Sequence, residues 1–173
     1  LKQLNYPNNI STVILGIDPG SRFTGYGAIK FIDNKPQYLT SGCVRITATD
    51  IAQRLQQIYH GIREVMVQFP PTEVAIEQVF MHQNPGSALK LGQARGAAIV
   101  AASLEGVPLA EYSARQIKQA VVGYGAAQKT QVQQMVKTLL CLSDVPQADA
   151  ADALAVALCH AHSRQQRLGD LDK

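Results

Sequence analysis

The stretch that most constrains this chain is Val13 to Gly27. An apolar run, Val13-Ile14-Leu15-Gly16-Ile17, stops at Asp18-Pro19-Gly20-Ser21, and a second β-type run follows directly. Unbroken Val, Ile and Leu bounded by Pro and Gly predict a strand covered on both faces. The run also sets a carboxylate, Asp18, at the exit of a core strand. Taken alone, Asp18 reads as a turn residue, because Asp before Pro-Gly hydrogen-bonds its own backbone and opens turns in many folds. Only other carboxylates at matching places would give it a chemical role.

The pattern continues along the chain. Thr24 to Ile32 predicts a strand, Asp33-Asn34-Lys35-Pro36 a turn and Tyr38 to Ile46 a third strand, together an antiparallel meander. Ile51, Leu55, Ile58, Tyr59, Ile62, Val65 and Met66 recur at helical spacing, with Asp50 as N-cap and Pro70-Pro71 as the stop. Val74-Ala75-Ile76 then forms a short buried strand that ends on Glu77, so an apolar strand delivers a carboxylate for the second time. The irregular segment Gln78 to Ser87 leads into a small-residue helix to Leu104. Its Gly92 and Gly96 permit close approach of another backbone, either across a dimer or, as a water-soluble protein favours, inside the domain. Pro108 to Tyr112 is the fifth strand, and Ser113 caps a helix to about Val121. Gly123-Tyr124-Gly125 breaks the chain, Gln128 to Leu140 is helical, and the last helix begins at or just before Asp149.

At 173 residues and 46% hydrophobic, the chain has material for one ordinary core. Residues 13–163 are expected to form that domain, with 1–12 as an N-terminal extension and 164–173 as a polar tail. A net charge of +3 permits a polyanionic partner without demanding one. Cys43, Cys141 and Cys159 have neither disulfide-framework nor zinc-ligand spacing, which points to a reducing cytoplasm. No apolar stretch is long enough to cross a bilayer, and Leu1 to Thr12 carries no secretory or transit pattern, so no membrane role is expected.

Three antiparallel strands, then helix, strand, helix, strand and further helices, resemble the ribonuclease H-like fold. This is an α/β domain whose mixed five-stranded sheet is flanked by helices on both faces. Asp149 and Asp152, three apart in the first turn of a helix, share a face, and the helix N-terminus favours their charge. Asp149 also suits a plain N-cap. Asp152 is harder to explain that way, because it interrupts Ala150-Ala151-Asp152-Ala153-Leu154, where an unpaired carboxylate is costly. Glu77 makes the same point at a strand end. Carboxylates that cannot separate are reconciled by a divalent cation, and hard oxygen ligands without Cys or clustered His favour Mg²⁺ or Mn²⁺ over zinc.

Four segments together resemble the RuvC family of bacterial Holliday junction resolvases: Ile17-Asp18-Pro19-Gly20-Ser21-Arg22, Ala75-Ile76-Glu77-Gln78-Val79-Phe80, Ala88-Leu89-Lys90-Leu91-Gly92-Gln93-Ala94-Arg95-Gly96 and Gln147-Ala148-Asp149-Ala150-Ala151-Asp152-Ala153-Leu154. The likeness runs from Val13 to about Ser163. It implies an endonuclease that cuts four-way DNA junctions by symmetric paired nicks, leaving 5′-phosphate and 3′-hydroxyl ends. Asp18, Glu77, Asp149 and Asp152 would be the metal ligands, holding two Mg²⁺ ions per subunit, with Mn²⁺ able to substitute. Lys118 and Lys129 would lie near the scissile phosphate, while Phe80 and Arg95 would contact DNA. The implied partners are junction DNA, a second copy in a homodimer and the RuvA–RuvB branch-migration complex. Plainer readings remain for several of these residues: Lys118 and Lys129 as surface lysines, and Phe80 as a core plug. The Asp18 turn also resembles the phosphate loop of actin-like sugar kinases, and a junction-binding protein without chemistry is a third reading.

Overall fold

The computed structural model describes residues 11–33, 35–79 and 85–171, with side chains as far as Gln165. The elements run β1 (Thr12–Asp18), β2 (Phe23–Ile32), β3 (Lys35–Arg45), α1 (Ile51–Gln68), β4 (Glu73–Glu77), α2 (Pro85–Leu104), β5 (Leu109–Tyr112), α3 (Ala114–Val122), α4 (Lys129–Leu139) and α5 (Ala148–Leu171). One sheet has the order β3-β2-β1-β4-β5. β1, β2 and β3 pair antiparallel, and β4 lies parallel to both β1 and β5. The sheet is therefore mixed, as the ribonuclease H-like expectation requires.

β1 is covered on both faces because its residues alternate between two cores. Ile14 joins Ile29, Phe31 and Ala75 beneath α3, α4 and α5. Leu15 and Ile17 join Ile76 beneath α1 and α2. Burial of this kind stabilises by about 25 cal/mol for each Å² of apolar surface removed from water. α5 lies closest to the sheet, and glycine makes this possible: a Cβ on Gly16 would collide with the Ala153 carbonyl oxygen.

The predicted caps form. Asp50 accepts from the Gln53 amide at 3.0 Å at the start of α1. Ser113 and Gln116 make a reciprocal capping box on α3, which ends at Gly123 with φ 94°.

Three expectations change. Ile32 pairs with Lys35, so Lys35 and Pro36, expected in the turn, belong to β3. Pro36 is tolerated there because β3 is an edge strand, where a missing N–H costs no ladder bond. Gly92 and Gly96 are not packing sites within the domain, since nothing lies within 4 Å of a Cβ built on either one. Ala94, Ala98, Ala101 and Ala102 supply the buried face of α2 instead. Finally, the segment expected as a polar tail continues α5 as far as Leu171. Among the described residues no helix is long and apolar enough to cross a membrane, and Cys43, Cys141 and Cys159 are all free thiols.

Candidate active site

Parallel pairing of β1 with β4 brings the first two acids together. Ile17 pairs with Ile76, so the next residues, Asp18 and Glu77, leave neighbouring strands at the same sheet edge. Alternation places both on the face covered by α5, the face of Ile14 and Ala75. The other two acids arrive on α5. Gly25 stands opposite Asp18 in the β1–β2 ladder, and a Cβ on Gly25 would collide with the Asp149 backbone. The first turn of α5 is thus seated directly beside Asp18. Because α5 begins at Ala148, Asp149 lies inside that turn and does not cap it.

The electrostatics record this crowding. The Asp18 carboxyl is pushed up to about 8, first by burial and then by the charges of Glu77, Asp152 and Asp149. Glu77 is also raised, by burial first and then by Asp152, while Lys118 and Lys129 pull it back down. Lys129, at the start of α4, places Nζ 2.6 Å from Asp152 Oδ2, and that hydrogen bond is the main reason its own pKa is raised. Four acids from three elements and two lysines therefore share one electrostatic site.

The fit to a divalent cation rests on this donor set. Four carboxylates, all hard oxygen donors, act on one another here; Asp18 is pushed up by burial and then by the other three, and an ammonium group already serves Asp152 as counter-cation. Among the described residues no three Asp, Glu, His or Cys side chains are drawn close enough to hold an ion as they stand. Lys129, which is 56% exposed, occupies Asp152 in this arrangement.

The remaining predicted residues fall differently. Lys118, on α3, acts on Glu77 from a half-buried position. Arg95 is paired with Glu111 of β5 at 2.6 Å and is only 22% exposed, with no partner for its Nε among the described residues. Phe80 lies outside the described residues. Two positioning features escaped the sequence reading. Gly25 was legible in principle, since glycines inside a strand mark close backbone approach. Arg54 was not. It donates to the carbonyls of Ser21 and Ala48 and ties the loop after Asp18 to α1, yet in sequence it is one more polar helix residue.

A cleft lies elsewhere, between α3 and α5 over Ser113, Arg115, Gln119 and His162, and none of the acids lines it. The acids are half-buried at the carboxyl ends of two inner strands, β1 and β4, and at the start of α5.

Comparison with known proteins gives the family and the fold. The sequence model of the family described as crossover junction endodeoxyribonuclease RuvC matches residues 14–160. The crossover junction endodeoxyribonuclease RuvC of Tolumonas auensis is 64% identical over 154 residues, 89% of each chain. The structure of Thermus thermophilus RuvC in complex with a Holliday junction substrate superposes with a TM-score of 0.83 at 36% identity, covering 90% of this chain and 96% of that one. The yeast mitochondrial Holliday junction resolvase, at 15% identity and a TM-score of 0.67 over 88% of this chain and 79% of that one, shares the fold. With a family match over most of its length and relatives of this identity, the chain belongs to the crossover junction endodeoxyribonuclease RuvC family.

Proposed function

We propose that this chain resolves four-way DNA junctions with Asp18, Glu77, Asp149 and Asp152 as its metal ligands and Mg²⁺ as the working ion. The observation that carries the assignment is the Asp18 carboxyl, raised to about 8 at a site ringed by three further acids. A purely DNA-binding surface gains nothing from four carboxylates at its centre. Two divalent ions bound there would lower the pKa of an attacking water and take charge from the leaving 3′ oxygen.

The chain's own residues supply the rest. Glu77 and Asp18 project from strand ends, and Asp149 and Asp152 from the first two turns of a buried helix, so the donors sit on fixed elements. Lys129 and Lys118 bring point charges to the same place, where they would stabilise the phosphate as negative charge grows. Phe80, three residues beyond Glu77 in sequence, would stack on a base opened at the crossover, worth about 1–3 kcal/mol. Arg95 is assigned to DNA by family likeness alone, and that role requires Glu111 to release or share it.

Two symmetric nicks call for two identical sites, which a two-fold dimer supplies. The outward face of α2 supports this: Leu89 and Leu104 are 64% and 67% exposed, with Val100, Gly92 and Gly96 leaving room for a second backbone. Residues 13–163 would then act as one nuclease domain, with 1–12 as an extension, in the cytoplasm and alongside the RuvA–RuvB branch-migration complex.

The test is incubation with a synthetic four-way junction and Mg²⁺, followed by DNA ligase. Paired, symmetric and ligatable nicks are expected. Cleavage of linear duplex at the same rate, or unpaired nicks that ligase cannot seal, would refute the reading.

A further inference from the structure

Behind the acids, at the far end of β4, lies a second polar group that the chemistry does not use. His160 of α5, 4% exposed, bridges two strands. Its Nε2 is 2.6 Å from Glu73 Oε2, and its Nδ1 is 2.8 Å from the Tyr112 hydroxyl. Arg164, one turn further along α5, donates from Nε to the other Glu73 oxygen at 2.9 Å. An ionised carboxylate can only accept, so Nε2 carries a proton toward Glu73; Nδ1 accepts from the Tyr112 hydroxyl when the ring is neutral and donates to it when the ring is protonated.

Glu73 and Glu77 are the two ends of β4. Four residues of strand span about 13 Å at about 3.3 Å per residue. From Asp152 to His160 is eight residues of α5, or about 12 Å at 1.5 Å per residue. The two spans match. α5 runs antiparallel to β4, with Asp152 acting on Glu77 at one end and His160 bonded to Glu73 at the other. Between them α5 meets β4 through small residues, with Ala75 and Ala155 in one apolar cluster; on the neighbouring strands Ala153 and Ala157 close over Gly16, and Leu154 over Gly27. Small-on-small contacts along β4 bring backbones close but interlock little, so on this strand they resist axial sliding weakly. A buried directional bond fixes register where apolar packing does not.

We infer that the Tyr112–His160–Glu73–Arg164 network is a latch that sets the axial position of α5 on β4, and through it the spacing of Asp149 and Asp152 from Glu77. These are positioning residues, since none of them touches the acids. The inference rests on the four-acid assignment above. Residues that orient metal ligands from behind typically cost about 10- to 100-fold in metal affinity or activity when changed.

The experiment compares the full-length protein with His160→Leu, His160→Gln, Glu73→Gln and Tyr112→Phe. It reads single-turnover junction cleavage per folded molecule, junction Kd, Mn²⁺ affinity by electron paramagnetic resonance without DNA, and melting temperature. His160→Leu and Glu73→Gln should lose about tenfold or more in cleavage and in Mn²⁺ affinity, with junction Kd unchanged. His160→Gln, whose amide can donate to Glu73 and accept from Tyr112, should recover most of the loss, and Tyr112→Phe should show the smallest effect. If His160→Leu fails to fold, Glu73→Gln and Tyr112→Phe carry the test. Melting temperatures that fall while cleavage and Mn²⁺ affinity stay within twofold of the parent would overturn the inference and leave a network for stability alone. Asp152→Asn is run alongside. If it is dead, the latch variants are judged as stated; if it cleaves like the parent, the acid assignment falls and takes the latch with it.

Discussion

Glu73 and Glu77 stand four residues apart on one short strand and face the same helix, yet they are opposites. Glu73 is held below its ordinary range, chiefly by the hydrogen bond from His160, with Arg164 adding its charge. Glu77 is raised, chiefly by burial and then by Asp152. At one end of β4 a carboxylate has every partner it needs; at the other a carboxylate is crowded by its own kind. On the proposed reading, satisfied charge at one end holds the elements in place and unsatisfied charge at the other binds a cation. The strand Glu73–Glu77 would then carry structure and chemistry within about 13 Å.

The largest expected effect breaks the crowded end. Glu77→Gln, Asp18→Asn, Asp149→Asn and Asp152→Asn each keep side-chain volume and remove a charge, so each should lower junction cleavage by about 10³-fold or more. Folding and junction binding should be preserved. In the metal-free protein Asp18→Asn should melt higher, by about 2–4 °C per kcal/mol of repulsion and desolvation relieved. Near-parental cleavage by two or more of the four variants would remove the distinction between the two ends.

Next in size is the counter-charge. Lys129→Met should lower single-turnover cleavage by about 10²-fold, with Lys118→Met somewhat milder, because Lys129 bonds Asp152 directly. Junction affinity should change far less than turnover. Equal losses in both would make these lysines phosphate-docking residues and not part of the crowded site.

The smallest effect on cleavage belongs to the satisfied end, where the roughly tenfold loss expected of Glu73→Gln comes with a loss of stability. Because the folded-state pKa of Glu73 lies below its unfolded value, its contribution is fully present above the unfolded pKa of about 4.3 and is lost as pH falls through the folded value. Glu73→Gln should cost about 1–3 kcal/mol near neutral pH. It should also flatten the acid limb of the stability curve, as followed by urea denaturation. An unchanged acid limb would mean that Glu73 gains nothing from its partners.

Much of this was legible in the residues. Apolar strands ending on Asp18 and Glu77, and Asp152 set among alanines and Leu154, mark the acids because carboxylates are costly in such places. The caps at Asp50 and Ser113 were legible for the same local reason: their side chains satisfy backbone amides within three residues. The latch was not. Glu73 and His160 are 87 residues apart, and a histidine on an Ala-rich helix gives no sign of which strand it will meet. The role of Gly92 and Gly96 was misplaced for a related reason. A pair of small residues shows that a close approach is possible but not which surface makes it, and here Ala94 and Ala98 supply the internal contact.

The most direct test of the central claim is Mn²⁺ titration without DNA, by calorimetry, into the parent, Glu77→Gln and Glu73→Gln. The account predicts specific binding in the parent, loss of that binding in Glu77→Gln, and weakened but measurable binding in Glu73→Gln. Equal Mn²⁺ affinity in the parent and Glu77→Gln would contradict it.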